Sequence, residues 1–230
     1  MKNMKNNNGA GRRRVLQLGL VFATFGAGSW PALAGAYEDF FKAVKFDDAG
    51  RVRSLLQRGF DPNSVEHLRG ETGLMMALRE KSMHVFDVLL NARGINLEAH
   101  AKNGDTALML AAFSGNLAAA NALLAHGAEA NQTGWTALHY AASAGHDDIV
   151  RLLLDRYAYI DAASPNGTTP LMMAARAGHI LTVKLLLDEG ADLSLKNNLG
   201  MSALDFAKKH EHRDIAEGLT YRLQKAGKLR

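Results

Sequence analysis

Few side chains in this sequence are placed to do chemistry. Two pairs of adjacent carboxylates occur, Asp47-Asp48 and Asp147-Asp148, and the histidines include the close pair His210 and His212. A carboxylate pair can share a proton for acid-base work or hold a divalent cation, but either role needs a further donor at useful spacing. None follows here. Each acid pair instead stands beside a helix start, where negative charge favours the helix dipole. His210 and His212 would hold a metal only with donors from elsewhere. Cysteine is absent, which excludes zinc fingers, disulfides and thiol nucleophiles. The sequence also lacks a Gly-rich phosphate loop, a His-Glu-x-x-His pair and a Gly-x-Ser-x-Gly elbow. Together these features argue against an enzyme and imply no cofactor and no metal.

The methionines lead to the organisation of the chain. Met75, Met76, Met109, Met172 and Met173 recur early in similar short segments. A flexible thioether fills gaps between packed helices. Methionine oxidation to the sulfoxide gives a second, oxidant-sensing reading. The segments themselves repeat: Thr-Gly-Leu-Met-Met-Ala begins at Thr72, Thr-Ala-Leu-Met-Leu-Ala at Thr106, Thr-Pro-Leu-Met-Met-Ala at Thr169 and Ser-Ala-Leu-Asp-Phe-Ala at Ser202. The third residues, Leu74, Leu108, Leu138, Leu171 and Leu204, are spaced by 34, 30, 33 and 33. Leucine pairs ending at Leu56, Leu90, Leu124, Leu154 and Leu187 share the register. The clearest copy, residues 134–154, predicts two short amphipathic helices, the first capped by Thr136 and the pair hinged at Gly145. Helices of roughly 8–10 residues are not stable alone in water, so each must bury its apolar face against neighbouring copies.

A period near 33 with a core like that of Thr136-Ala-Leu-His-Tyr-Ala and Thr169-Pro-Leu-Met-Met-Ala resembles the ankyrin repeat. The resemblance covers residues 37–224 and implies an all-α solenoid of about six helix-turn-helix repeats with β-turn fingers. The diverged first repeat has Phe40 in the leucine register, and the first and last repeats serve as polar caps. Residues 225–230 form a basic tail. His139, His146 and His179 fall where such repeats carry structural histidines. The connection through Gln132 is three residues short, which predicts a clipped finger in the fourth repeat.

The resemblance also implies a function. Finger tips and the exposed side of each first helix form a concave surface for another protein. By register, the finger positions include Arg69, Glu71, Asp105, Trp135, Thr168 and Met201, and the helical positions include Arg79, Phe113 and Arg176. Aromatics and arginines dominate interface energies, which singles out Phe113, Trp135, Arg79 and Arg176. The expected ligand is a protein, and the expected state is a monomer.

The formal charge of +4 suggests a basic protein. Residues 1–34, however, contribute Lys2, Lys5, Arg12, Arg13 and Arg14 without an acid, leaving a remainder of −1. That near-neutral remainder has no electrostatic footprint for nucleic acid. The first 36 residues read as an export signal: a basic start, an apolar run from Val15 to Trp30, and cleavage expected after Ala34 or Ala36. Arg12 and Arg13 with the following Arg14, Val15 and Leu16 resemble a twin-arginine signal of bacteria, implying a periplasmic protein. Alternatively, Val15–Ala36, 22 residues without charge, is retained as an inner-membrane anchor, the only contact with a membrane that the sequence suggests.

Overall fold

A computed structural model describes residues 30–227, which contain twelve helices. They are α1 (Trp30–Lys45), α2 (Ala49–Gln57), α3 (Gly73–Glu80), α4 (Met83–Leu90), α5 (Ala107–Phe113) and α6 (Leu117–Ala125) in the first half. The second half holds α7 (Ala137–Ala144), α8 (Asp147–Asp155), α9 (Pro170–Ala177), α10 (Ile180–Asp188), α11 (Ala203–Lys209) and α12 (Arg213–Lys225). Successive helices pair as six hairpins. The first helices of the hairpins stack in one row, the second helices in another. Among the described residues the only extended pairing is an isolated antiparallel bridge between Val65 and Thr72. This is the all-α solenoid that the sequence period predicts.

Local sequence sets the start of each first helix. Thr72, Thr106 and Thr169 accept the N–H of Met75, Met109 and Met172, each at 3.4 Å, and Pro170 occupies the first turn of α9. Such caps satisfy donors that the helix leaves unpaired. Ser202 forms a reciprocal pair with Asp205, whose carboxylate takes the Ser202 N–H at 2.8 Å and is held below its ordinary range by that bond. The motif leucines Leu74, Leu108, Leu138, Leu171 and Leu204 are all buried, and Phe40 replaces them in α1 with no exposed surface. Met75, Met109 and Met172 pack in the same core. Met76 is half-buried and packs against that core, while Met173 is half-buried and lines a surface hollow, so core packing describes most but not all of the methionine pattern.

Two ladders of polar contacts tie each repeat to the next. At the joints, His146, His179 and His212 direct Nε2 to the carbonyls of Phe113, Ser143 and Arg176 one repeat earlier, at 3.1, 3.1 and 3.0 Å. His212 is therefore part of this ladder. Each ring lies over the joint glycine of the repeat before it, so that a Cβ on Gly145 would stand 2.5 Å from the His179 ring. Gly145 itself has φ +74°, a region that favours glycine. Lower down, Asn63 receives the N–H of Asn96 at 2.7 Å, and Asn131 that of Tyr159 at 2.8 Å. Glu98 and Asp161 do the same for Glu129 and Asp192.

The acid pairs confirm their place beside helix starts and add a link between repeats. Asp48 caps α2 by accepting the Arg51 N–H at 2.9 Å. Asp47 reaches into the second repeat, where it takes the Val85 N–H at 2.9 Å and meets His84 Nδ1 at 2.7 Å. Burial works to raise the Asp47 carboxyl, but these two partners hold it below its ordinary value.

α1 begins ahead of both expected cleavage positions, and Ala36 packs against the core. Arg12, Arg13 and the apolar run before Trp30 lie outside the described residues. Among the described residues no helix is long and apolar enough to cross a membrane.

Candidate protein-binding face

The first-helix row presents its exposed side next to the fingers. One register position, two residues after each motif leucine, runs along this side: Met76, Leu110, Tyr140, Met173 and Phe206, all half-buried. Two adjoining hollows lie over its centre. The larger, about 590 Å³, spans the second and third repeats with Leu78, Leu110 and Arg79 among its walls. The smaller, about 290 Å³, is formed by Trp135, His139, Ser143, Met173 and Arg176. Phe113 and Tyr140 belong to both and separate them, their rings edge to face at 6.1 Å. The four expected anchors Arg79, Phe113, Trp135 and Arg176 thus line one continuous surface across four repeats.

Their roles differ. Phe113 is 57% exposed, and Arg176 is exposed as well. Trp135 is half-buried with its ring edge-on to His139 at 5.2 Å, so it both packs the finger and faces the hollow. Arg79 corrects the simple expectation of a free anchor. Its Nε lies 2.8 Å from Glu71, and a second nitrogen is bonded to Glu80. Burial works to lower its pKa, yet these two carboxylates hold it above the ordinary value. The guanidinium is a clamp within the wall.

Three finger residues are corrected in the same sense. Glu71, Asp105 and Thr168 are buried at 5%, 8% and 3% exposure, so their side chains do not project from the fingers, and Glu71 and Asp105 reach the surface only as part of the wall of the larger hollow. Glu71 is held by Arg79, with Arg69 3.8 Å away on the exposed side. Asp105 accepts the Asn103 amide at 2.6 Å and the Tyr140 hydroxyl. Burial and the neighbouring Asp105 charge push the Tyr140 phenol well above its ordinary pKa, so it stays a neutral donor. Thr168 gives its N–H to Ser164 at 3.0 Å and its carbonyl to His139. These residues build the face from within. Arg69 remains exposed at its finger, and half-buried Met201 sits in the last finger, away from both hollows.

His139 joins the two halves of the smaller hollow. Its Nε2 lies 2.9 Å from the Thr168 carbonyl, which can only accept, so this nitrogen carries the proton. Nδ1 then accepts the Thr136 N–H at 3.2 Å and lies 2.9 Å from the Thr136 hydroxyl. Burial pushes the imidazole below its ordinary pKa, keeping it neutral. One ring therefore caps α7 and pins the next finger. The shortened connection through Gln132 leaves its mark nearby. Fingers elsewhere bond backbone to backbone, Lys102 N–H to Arg69 at 2.8 Å and Asn198 N–H to Asn166 at 2.9 Å. Among the described residues the fourth finger makes no such bond to either neighbour, and Pro165, at the matching position of the fifth, has no N–H to give.

Sequence reasoning missed Tyr140, Leu110 and Met173 as surface residues. The signal was present: in five repeats the second residue after the leucine is large and apolar, yet its helical angle differs from that of the core leucine.

A solenoid of stacked helical hairpins defines a repeat protein, a class whose extended surfaces generally serve binding. A family model for ankyrin repeats matches in three copies, over residues 40–133, 82–164 and 158–226, and the chain belongs to this family. It is similar to human SH3 and multiple ankyrin repeat domains protein 2, at 34% identity over 75% of this chain and 10% of that protein. Mouse protein phosphatase 1 regulatory subunit 27 matches at 37% identity, covering 38% of this chain and 58% of the relative. Zebrafish (Danio rerio) Notch-regulated ankyrin repeat-containing protein B matches at 41%, covering 30% and 64%. The chain thus spans between a tenth and just under two thirds of the length of these relatives.

Proposed function

We propose that this chain is an exported, non-catalytic scaffold that binds another protein through the concave face of its second to fifth repeats. One observation carries the reading. A large aromatic, Phe113, stands 57% exposed between two hollows that Trp135 and Tyr140 help to wall. Exposed rings of this size at the centre of a concave apolar surface are the usual anchors of protein interfaces. The test is affinity capture with the native chain and a Phe113→Ala, Trp135→Ala, Arg176→Ala variant, followed by measurement of the isolated pair. A partner whose affinity falls at least about thirtyfold on the variant supports the reading, since one hot spot costs about 2 kcal/mol or more. Equal affinity refutes it.

The export part rests on the first 36 residues, whose basic start, apolar run and small-residue ends suit a bacterial signal. The periplasm is the proposed location. Cleavage after Ala34 leaves Ala36 in its packing place, so the intact mass of the mature chain is expected to begin at Gly35. An unshortened mass would instead favour retention of the 22-residue uncharged segment as an inner-membrane tether for the same face.

A further inference from the structure

The charges around the hollows point to the kind of protein segment that fits them. Three carboxylates lie at or near the larger hollow, and each already has a partner. Glu71 and Glu80 are bonded to Arg79, and Asp105 receives the Tyr140 hydroxyl and the Asn103 amide. Glu71 and Asp105 are also buried. The cations are arranged differently. Lys81 and Lys102 are exposed on the rim of the larger hollow with Arg69 beside them, and Arg176 is exposed on the far side of the smaller one. Lys102 rests its ammonium on the carbonyls of His67 and Leu68, which neutralise none of its charge. Asp105 likewise keeps its charge, so cations exceed carboxylates by only one at the larger hollow. The exposed members are the cations, however, and a ligand meets them on its rim and at Arg176 across the apolar centre.

Building on the concave-face reading, we infer that the occupant is an acidic protein segment carrying carboxylates on both sides of a large apolar side chain. The apolar side chain enters between Phe113, Trp135 and Met173. The carboxylates on one side meet Lys81 and Lys102, and those on the other meet Arg176. Charge complementarity of this kind sets partner choice and approach rate, while the apolar anchor supplies the holding energy. Nucleic acid is the less suitable polyanion. Outside residues 1–34 the chain sums to −1, too little positive charge to track a phosphate backbone.

The chain has two tryptophans, Trp30 and Trp135, so a Trp30→Phe variant of the full-length protein isolates the fluorescence of the hollow. The probes are three synthetic peptides with one central phenylalanine flanked by glutamates, serines or lysines, titrated at low salt against that fluorescence. The glutamate peptide is expected to bind about tenfold or more tighter than the lysine peptide. Reversing the rim with Lys81→Glu, Lys102→Glu and Arg176→Glu should invert the order. The glutamine versions of the same three substitutions, which keep neutral polar side chains, should abolish it. Circular dichroism checks that each variant is folded. Equal binding of all three peptides, no binding of the glutamate peptide at millimolar concentration, or an order unmoved by the glutamine substitutions would each overturn the inference. So would displacement of the glutamate peptide by a single-stranded oligothymidylate as effective as the unlabelled peptide. Binding that depends on Phe113 and Met173 but ignores flank charge would overturn only the acidic preference. Binding unaffected by Phe113→Ala with Met173→Ala would overturn the concave-face reading as well.

Discussion

His139→Leu is the most informative single change in the molecule. Leucine keeps much of the bulk of the imidazole but removes both nitrogens. Two buried groups then lose their partners, the Thr168 carbonyl at 2.9 Å and the Thr136 N–H at 3.2 Å. Each unsatisfied buried group costs about 1–3 kcal/mol, so the expected loss is about 3 kcal/mol and at most about 6. Urea unfolding followed by circular dichroism at pH 7.5 measures it. The pH dependence provides a second readout with a definite sign. Burial depresses the folded pKa of His139, so below the unfolded value of about 6.5 the unfolded chain binds the proton that the folded chain refuses. Stability is therefore complete above that value and is lost as pH falls, by at most about 1.4 kcal/mol per unit. The variant lacks this slope. The difference between wild type and variant should shrink on going from pH 7.5 to pH 5, with other titrating groups cancelling. A loss under about 1 kcal/mol at pH 7.5, or a difference that stays constant with pH, would refute the assignment of a neutral, doubly bonded ring.

Three further outcomes follow from the same contacts. Gly145→Ala should cost about 2–3 kcal/mol, combining left-handed backbone strain with displacement of the His179 ring from its bond to Ser143, whereas Gly190→Ala at φ +98° with open space should cost about 1. Equal costs in urea unfolding would remove the ring contact from the explanation. Asp47 raises the pKa of the exposed His84, so this pair stabilises the protein below about pH 6.5 and its contribution fades as pH rises through the raised folded value. The urea midpoints of wild type and His84→Ala should accordingly converge between mildly acidic and alkaline buffer. Finally, contacts local in sequence favour rapid folding, which suits a route carrying folded chains. Replacing Arg12 and Arg13 by lysine should stop export of a reporter fused to the first 36 residues, and undiminished export would exclude the twin-arginine route.

The fold was legible because stacked repeats write the same constraint many times. Thr72, Thr106, Thr169 and Ser202 each cap a helix through the residue three places on, and one register of leucines fills the core, so period and polarity suffice. The face was legible only to the level of position. Register placed Glu71, Asp105 and Thr168 at finger flanks, but whether a flanking side chain turns outward depends on what the next repeat offers it. Glu71 finds Arg79 eight residues later, Asp105 finds Tyr140 thirty-five residues later, and Thr168 finds His139 in the preceding repeat. His139 stands at a histidine position of the repeat, whereas the pairings of Glu71 with Arg79 and of Asp105 with Tyr140 belong to single copies. Such differences gather at the second to fifth repeats. That gathering is itself informative: the common positions hold the solenoid together, whereas Tyr140, Trp135, Arg79 and the shortened Gln132 finger differ from copy to copy. Some of these differences are structural, as the Arg79 clamp is, but the Phe113 ring stays 57% exposed between two hollows, and the proposed partner is what would cover it.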